Sequence, residues 1–318
     1  MTTRISLIFA VASLAAVLLP AQQGTVAGPG SGFVFDSAAH SLRPVLGVSG
    51  ASVLGDPLSF GFLLASASVA PTQDSAIVSA ADGGLHIFSL ASGGLAERSV
   101  DGLSIVPEQV VFSPSGTAAA LYAAGHAQIL TGLPDSPALA GTLNLGATPS
   151  ALALSDDGAY LLYIAGASVR LLGSGGGRSL TTAGDGAMAA FAPGSHDAAV
   201  LDPAGAGMVL FRDLAGASVR SILAAPDAGT ASPAGLAFSA DGRQLFLASA
   251  SAQSVAAFDL STGAHTAFPC NCTPTGLAPM GSLLRLNELG AGPLWLFDAG
   301  ADQPRIVFVP ALAPAAGN

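Results

Sequence analysis

The sequence predicts an all-β fold, a β-propeller of four-stranded blades, and three observations support this. A unit of about 42 residues recurs along the chain, and self-similarity at such a period is typical of repeat architectures. Turn signals follow one another every 8 to 12 residues within each unit, which indicates short strands. The apolar runs after these turns, such as residues 244–248, are continuous rather than alternating. Continuous runs of this length are typical of strands covered on both faces.

The repeat is clearest where a proline leads into an apolar strand that ends in a tight turn. Pro233 leads to residues 236–239 and then to Asp241-Gly242, where glycine can adopt the positive φ that a tight turn requires. Asp157-Gly158 makes the same turn in another unit. One apolar residue at the end of this strand can be aligned in six units, and these residues are Val69, Phe112, Leu154, Phe191, Phe238 and Pro279. Successive members are 43, 42, 37, 47 and 41 residues apart.

Each unit can be divided into four strands. The first precedes the tight turn and the second follows it. The third comes after a loop of small residues, as at 209–212, and a second turn, such as 259–263, leads to a weaker fourth strand. A helical solenoid does not fit, because no run shows a long 3.6-residue period. An outer-membrane barrel is disfavoured because it needs aromatic girdles, and the chain has three Tyr and one Trp.

The repeat length favours seven blades, with an irregular first one. Six full units are visible, and before them residues 32–36 and 42–46 resemble the third and fourth strands of a unit. A mature chain of about 297 residues holds seven units of 42. Six blades preceded by an N-terminal hairpin are the alternative. The predicted boundaries are a signal peptide at 1–21, a flexible segment at 22–31, the propeller at 32–310 and a tail at 311–318.

The first segment has the features of a secretory signal peptide. Arg4 precedes an apolar run from residue 5 to residue 19, and Ala21 offers a small residue for cleavage. The run is shorter than the roughly 20 apolar residues of a membrane-spanning helix. We therefore expect an exported protein, periplasmic or extracellular, with no membrane attachment after cleavage. An uncleaved membrane anchor is the alternative.

The charge distribution argues against several classes of partner. All ten basic residues are arginine, they are scattered from Arg4 to Arg305, and the formal net charge is −10. Nucleic acid and anionic membranes need clustered positive charge. The sequence therefore predicts neither as a partner. Charged residues make up 9% of the chain and hydrophobic residues 51%, a composition that disfavours disorder over most of its length.

The repeat also resembles a known class of propeller. Residues 238–245, Phe-Ser-Ala-Asp-Gly-Arg-Gln-Leu, are similar to the Phe-Ser-Pro-Asp-Gly-Lys/Arg-x-Leu signature of the lactonase-like and YVTN-type repeats. Residues 255–263 resemble the strand that follows the signature in those repeats. The resemblance covers most of residues 69–310 and implies the fold rather than an activity. The Gly-His and Trp-Asp dipeptides of WD repeats are missing.

Cys270 and Cys272 form the one local motif of note. In an exported protein, two cysteines indicate a disulfide, and a separation of two residues in an extended segment lies near the upper limit that a bridge can span. Paired free thiols, a metal site and a redox role are the alternatives, but no His or carboxylate lies nearby in sequence and a metal needs three or four ligands.

A second group of candidates lies where propellers bind ligands, at one mouth of the central channel. The loops entering the first strands and those between the second and third strands carry seven polar residues, which are Asp82, Glu108, His126, Asp185, Asp202, Asp227 and Glu288. Six of the seven are acidic and could hold Ca²⁺ or a cationic group. The alternative is that they are solvated loop residues. The sequence predicts no catalytic residue and no cofactor, and Ca²⁺ is the alternative at these loops.

Two functions remain open from the sequence. The first is a non-catalytic exported propeller, expected to be a monomer, that presents a surface to an unidentified protein or small molecule. The second is a lactonase-like hydrolase with a metal at the channel mouth, in which Glu108 would be tested first. The scarcity of asparagine, at four positions, counts against an asparagine-rich Ca²⁺ site. A quinone-dependent dehydrogenase fits less well, because Trp295 is the sole Trp.

Overall fold

The strands of the chain form seven antiparallel sheets. A computed structural model describes residues 30–91, 94–224 and 232–312, and none of these residues is helical. Within each sheet the strands are neighbours in chain order, with three strands in the first sheet and four in each of the others. The prediction of seven blades with an irregular first one is confirmed, and the six-bladed alternative is wrong. Within these ranges the structure has no helix long and apolar enough to cross a membrane.

Blades 2 to 7 each take up about forty residues with the loop that follows, and blade 1 is shorter. Blade 1 consists of β1 (Gly30–Asp36), β2 (Ser41–Val48) and β3 (Ala51–Leu54). Blade 2 consists of β4 (Leu64–Val69), β5 (Ser75–Ala80), β6 (Leu85–Ala91) and β7 (Gly94–Arg98). Blade 3 consists of β8 (Gln109–Phe112), β9 (Ala118–Ala123), β10 (His126–Thr131) and β11 (Ala138–Asn144). Blade 4 consists of β12 (Ala151–Leu154), β13 (Tyr160–Ala165), β14 (Ser168–Gly173) and β15 (Gly176–Thr182). Blade 5 consists of β16 (Met188–Phe191), β17 (Ala198–Asp202), β18 (Gly207–Arg212) and β19 (Val219–Ala224). Blade 6 consists of β20 (Pro233–Phe238), β21 (Gln244–Ser249), β22 (Ser254–Asp259) and β23 (His265–Pro269). Blade 7 consists of β24 (Ala278–Met280), β25 (Leu283–Arg285), β26 (Leu294–Asp298) and β27 (Arg305–Val309).

The hydrophobic core is divided among the spaces between neighbouring blades. Seven clusters of buried side chains each join two consecutive blades, and one of them joins blade 7 to blade 1 through Met280 and Val34. The clusters therefore close the blades into a ring. The second strands lie between two such clusters, and every residue of β5 is buried. This burial explains why the second strands are apolar without alternation.

Small residues at these interfaces allow the blades to approach closely. In β20, a Cβ atom added at Gly235 would lie 2.4 Å from the Cβ and backbone N atoms of Leu277, at the start of blade 7. Real Cβ atoms do not approach other atoms so closely, because interiors are packed at crystal density. Glycine at position 235 is therefore required by the close approach of blades 6 and 7.

Blade 1 differs from the others in the direction of its innermost strand. The "turn face" of the ring carries the turns between first and second strands, and the opposite "entry face" carries the loops that enter the first strands. The turns on the turn face are residues 70–74, 113–117, 155–159, 192–197, 239–243 and 281–282. In the middle of β1, the Phe33 N–H donates to Gln73 on the turn face, at 2.7 Å. After its end, the His40 carbonyl accepts from the N–H of Leu64, which begins β4, at 2.9 Å. Strand β1 therefore runs opposite to β4.

This direction gives β1 the position of a second strand. Residues 32–36 and 42–46 were expected as third and fourth strands, but they lie in the second and third positions, and β3 takes the fourth. The sequence-based assignment was wrong because third and second strands have similar apolar composition. In the described part of the chain, the first-strand position of blade 1 holds no strand.

Candidate functional site: the central channel and its two mouths

A channel of about 1280 Å³ runs through the middle of the ring. The first strands of blades 2 to 7 surround it together with Phe33 and Phe35 of β1. Most of the lining along the strands is aliphatic, as at Ala67, Val110 and Leu152. Small-molecule sites in proteins are concave and mostly apolar, with volumes of roughly 300–1,000 Å³. The channel is large enough to receive a ligand of that size.

Serine side chains fix the turns at the turn-face mouth. In blades 3, 4 and 6, a serine hydroxyl accepts from the first N–H of the second strand, with Ser113 bonded to Ala118 at 3.1 Å, Ser155 to Tyr160 at 3.0 Å and Ser239 to Gln244 at 2.9 Å. Buried serine hydroxyls need such partners. The serine of the repeat signature therefore has a structural role, which makes the signature informative about fold rather than chemistry.

Gln73 breaks the pattern of the turns and links two blades. The fourth residue of the turn is glycine in blades 3, 4 and 6, with φ between 68° and 76°. In blade 2 the same position is Gln73, with φ 65°. A residue other than glycine in this region is uncommon. The Gln73 side chain compensates, because Oε1 accepts from the N–H of Phe33 in blade 1 and Nε2 donates to the Ala70 carbonyl at 2.8 Å.

Asp156 joins the turns of three consecutive blades. Its Oδ1 accepts from the Ser115 N–H in blade 3 at 2.6 Å, and its Oδ2 accepts from the Gly194 N–H in blade 5 at 2.6 Å. The Asp156 carbonyl also accepts from the Thr117 hydroxyl at 3.0 Å. Hydrogen bonds to a carboxylate are stronger than neutral ones. Asp156 therefore connects the turns of blades 3, 4 and 5 at the turn-face mouth.

Two other aspartates at this mouth are held in the ionised form. Burial acts to raise the pKa of Asp157, but hydrogen bonds from Ser155, the Ala159 N–H and His196 outweigh it, so the pKa lies below its usual value. Hydrogen bonds from Ser239 and the Arg243 N–H lower the pKa of Asp241. Stabilising contacts to the charged form depress a carboxyl pKa. Both carboxylates are therefore accounted for by the architecture of their own turns.

Most of the residues that the sequence predicted as binding candidates lie apart from one another on the entry face. Asp82, His126 and Asp185 are exposed, and Asp82 accepts from the Gly84 N–H within its own turn. Glu108 accepts from the Ala124 N–H at 3.2 Å, which joins the loop entering β8 to the turn after β9. Asp227 lies outside the described residues.

Asp202 and Glu288 have different surroundings from the other candidates. Asp202 is 6% exposed and accepts from the Gly184 N–H at 3.1 Å, so that it joins a turn to the loop entering blade 5. Glu288 is 73% exposed and forms a bidentate pair with Arg285 at 2.6 and 2.7 Å. Of the six described candidates, Glu288 is the one that lines the channel. In the described ranges, no three His, Cys, Asp or Glu residues are grouped so that they could hold a metal ion.

Cys270 and Cys272 form a disulfide in the loop between β23 and β24, with their Cα atoms 5.0 Å apart. Cys270 is buried against the cluster that joins blades 6 and 7. The Cys270 N–H also donates to the Gln253 carbonyl, at 2.7 Å. The backbone at this loop is thus held by other contacts besides the disulfide.

We predict that the cysteine pair is oxidised in the protein from its native host and that its loss is tolerated. Because the closed loop is short, the double variant Cys270→Ser/Cys272→Ser should lose less than about 2 kcal/mol of unfolding free energy. Mass spectrometry of the unreduced peptide should find it two hydrogens lighter than the dithiol. A double variant that fails to fold would contradict the prediction.

The ring, its interblade core and its apolar channel define the chain as a seven-bladed β-propeller. No family model matches the chain, and no curated protein matches it. A solved structure described as a candidate 6-phosphogluconolactonase, from Bacteroides uniformis ATCC 8492, is similar, with a TM-score of 0.55 and 14% identity over 88% of this chain and 96% of that chain. A protein described as functionally unknown, from Desulfotomaculum acetoxidans DSM 771, has a TM-score of 0.55 and 13% identity over 88% of this chain and 100% of that chain.

A third similar structure is the hydrazine synthase of Kuenenia stuttgartiensis, with a TM-score of 0.54 and 13% identity over 87% of this chain and 92% of that chain. Proteins with such different descriptions share the architecture, since one fold can host many functions. The resemblance to lactonase-like propellers is therefore confirmed for the fold.

Proposed function

We propose that the protein is an exported propeller without chemistry of its own, which binds an apolar ligand at the central channel. The ligand is a small molecule or a segment of a protein. The observation that carries the proposal is the channel itself, a preformed cavity of about 1280 Å³ with an aliphatic lining. Preformed sites of this kind are the usual location of ligands.

The contacts around the mouths support a binding role. Asp156, Glu108 and Asp202 accept backbone N–H groups, so that their carboxylates are already used within the scaffold. A rigid rim lowers the ordering cost of binding, because loops fixed in advance lose less entropy when a ligand arrives. The net charge of −10 supports a partner that is neither nucleic acid nor an anionic membrane, and we propose a monomer.

The proposal predicts that filling the channel weakens ligand binding. Ser68 on β4 lines the channel, whereas Ser66 on the same strand is exposed and is not part of the lining. Using the dye 8-anilinonaphthalene-1-sulfonate as the probe, we expect Ser68→Trp to weaken binding at least about 10-fold, because the indole occupies the cavity. The matched control Ser66→Trp should bind as the parent does. Equal binding by both variants would place the dye elsewhere and contradict the proposal.

The rival function is the lactonase-like hydrolase, which the repeat signature at residues 238–245 suggests and which the description of one similar structure also favours. It is tested by metal analysis of the purified protein, together with lactone and ester hydrolysis assays. We expect no stoichiometric metal and no hydrolysis above background. One equivalent of Ca²⁺ or Zn²⁺, lost in Glu108→Ala together with an activity, would establish the hydrolase instead.

Export is the part of the proposal that the N-terminal sequence supports. The signal-like segment at 1–21 lies outside the described residues, and its positive start and apolar run are the basis of the proposal. We predict a mature N-terminus near Gln22, in the periplasm or outside the cell. N-terminal sequencing of the protein from its native host should find it, and a chain that begins at Met1 or Thr2 would disprove cleavage.

A further inference from the structure

A second cavity lies on the entry face, between blades 2 and 3. Its volume is about 430 Å³, within the roughly 300–1,000 Å³ that is usual for small-molecule sites. The turn before β6, the last two residues of β7 and the loop at 99–106 line it. In the described part of the chain, no residue lines both this cavity and the central channel. A ligand bound here would therefore be independent of the proposed function.

The position of Arg98 on β7 directs its side chain to this cavity. Arg98 stands opposite Ile87 in the ladder between β6 and β7, and the preceding residue, Glu97, stands opposite Phe88. Successive side chains of a strand point to opposite faces. Ile87 belongs to the cluster that joins blades 2 and 3, whereas Phe88 belongs to the one that joins blades 1 and 2. The Arg98 side chain therefore faces blade 3, where it lines the cavity.

Arg98 has a buried donor without a partner in the described ranges. Its Nε atom is shielded from solvent and forms no hydrogen bond there. Five other arginines pair with an aspartate or a glutamate, and they are Arg43, Arg212, Arg243, Arg285 and Arg305. Arg98 pairs with no acidic residue in the same part of the chain. A buried donor left without an acceptor destabilises a protein, so a ligand that supplies the acceptor gains affinity.

Glu97 does not supply this acceptor, although it is the one acidic side chain among the described lining residues. Its Oε1 atom lies 2.7 Å from Nδ1 of His86. His86 and Phe62 are in ring contact, with centroids 4.5 Å apart, and Phe62 packs against the cluster between blades 1 and 2. Glu97 is therefore paired on the other face of β7, and the guanidinium of Arg98 is left to the cavity.

The loop that closes the cavity is held in place from blade 3. The buried Gln128 side chain of β10 accepts from the Ser104 N–H at 3.2 Å and donates to the Gly102 carbonyl at 3.4 Å. Three aliphatic side chains of the loop pack against the cluster between blades 2 and 3, and they are Val100, Leu103 and Ile105. A site that is fixed in advance loses little entropy when a ligand binds.

We propose that this cavity binds a small aliphatic carboxylate, whose carboxyl group pairs with Arg98. The Nε–H and a terminal N–H of a guanidinium form a fork that matches the two oxygens of a carboxylate. The aliphatic side chains of the loop line the cavity beside it and suit an alkyl chain. A carboxylate carries one negative charge, whereas a phosphate monoester carries about −1.5 to −2. Because Arg98 is the one arginine among the described lining residues, and Glu97 lies next to it, the single charge fits better.

Titration of the ¹⁵N-labelled full chain with hexanoate tests the proposal. The Nε–H group of Arg98 gives a nuclear magnetic resonance signal of its own, which is identified by its loss in Arg98→Gln. We expect hexanoate to shift this signal and to saturate it at one equivalent per chain. Hexanol lacks the charge and acetate lacks the alkyl chain, so each should bind at least about 10-fold more weakly.

Two variants with matched controls locate the site by calorimetry. Arg98→Gln should weaken hexanoate binding at least about 10-fold, whereas Arg220→Gln, at an exposed position of the fourth strand of blade 5, should bind as the parent does. Val106 lines the cavity and is 59% exposed, so Val106→Trp should obstruct the cavity without disturbing the core. Its control is Val219→Trp, at a position that is 61% exposed on β19.

Four outcomes overturn the proposal. The first is that hexanoate leaves the Arg98 signal unmoved, and the second is that hexanol moves it as much as hexanoate does. The third is that hexanoate binds equally to Val106→Trp and Val219→Trp. The fourth is that hexyl phosphate, or a short peptide with a free carboxyl-terminal leucine, binds more tightly than hexanoate, which would assign the cavity to a phosphate or to a chain terminus instead.

Discussion

Replacing Gly235 by alanine should destabilise the protein by about 3 kcal/mol, although the added group is a single methyl. The new Cβ atom would lie 2.4 Å from both the Cβ and the backbone N of Leu277. The conflict involves backbone atoms, so no rotamer change relieves it, and blades 6 and 7 must separate. Separation exposes part of the cluster that contains Phe246 and Phe297. Urea unfolding of the purified variant measures the loss.

Gly276→Ala is the matched control for this experiment. Gly276 is the residue next to Leu277, and a Cβ atom there would meet nothing within 4 Å. We expect a change of less than about 0.5 kcal/mol, as for ordinary surface substitutions. If Gly235→Ala were as mild as Gly276→Ala, the close approach of the two blades would not be needed for stability.

Asp156→Ala should lower the free energy of unfolding by about 1–2 kcal/mol, because it leaves a partly buried backbone N–H group without its acceptor and a second, exposed one dependent on water. These groups belong to Ser115 and Gly194, on the blades to either side. Asp156→Asn should cost about half as much, since the amide keeps one carbonyl oxygen and turns an NH₂ group toward the other donor. Denaturant unfolding provides the ranking, with the exposed Asp185→Ala as control.

The Asp156 variants should also bind the dye less tightly at the channel. Loss of Asp156 frees the turns of blades 3 and 5, so binding of the dye at the channel should weaken along with stability. An Asp156→Ala variant as stable as Asp185→Ala would mean that the interblade bonds contribute nothing.

The repeat made most of the fold predictable. Each unit contains its own strands and turns, so local signals such as Asp157-Gly158 and Asp241-Gly242 were sufficient to place the hairpins. Blade 1 was predicted less well. Strand β1 was recognised as a strand, but its position in the blade depends on contacts of Phe33 with Gln73 and of His40 with Leu64. Those contacts belong to the closure of the ring, which no local pattern encodes.

The site was predictable only in outline. The sequence located loops that carry acidic side chains, but it could not tell that Glu108 and Asp202 accept backbone N–H groups. It also missed the bridge made by Asp156. A signal was present, because Ser115, Asp156 and Gly194 occupy turns about one repeat apart. Residues one repeat apart become neighbours only when the blades are stacked side by side, so the ring geometry is needed to recognise the bridge.

The placement of the aromatic residues gives the ring two separate spectroscopic reporters. Trp295, the sole tryptophan, packs against Phe308 in blade 7, with ring centroids 5.5 Å apart. Tyr122 and Tyr163 are each 1% exposed and lie in the cluster between blades 3 and 4, on the opposite side of a seven-membered circle. Trp295 also packs against the cluster that joins blades 6 and 7, so tryptophan emission reports on the interface between those two blades, while tyrosine near-ultraviolet dichroism reports on the interface between blades 3 and 4. If both signals change over the same temperature range on heating, the ring unfolds as one cooperative unit.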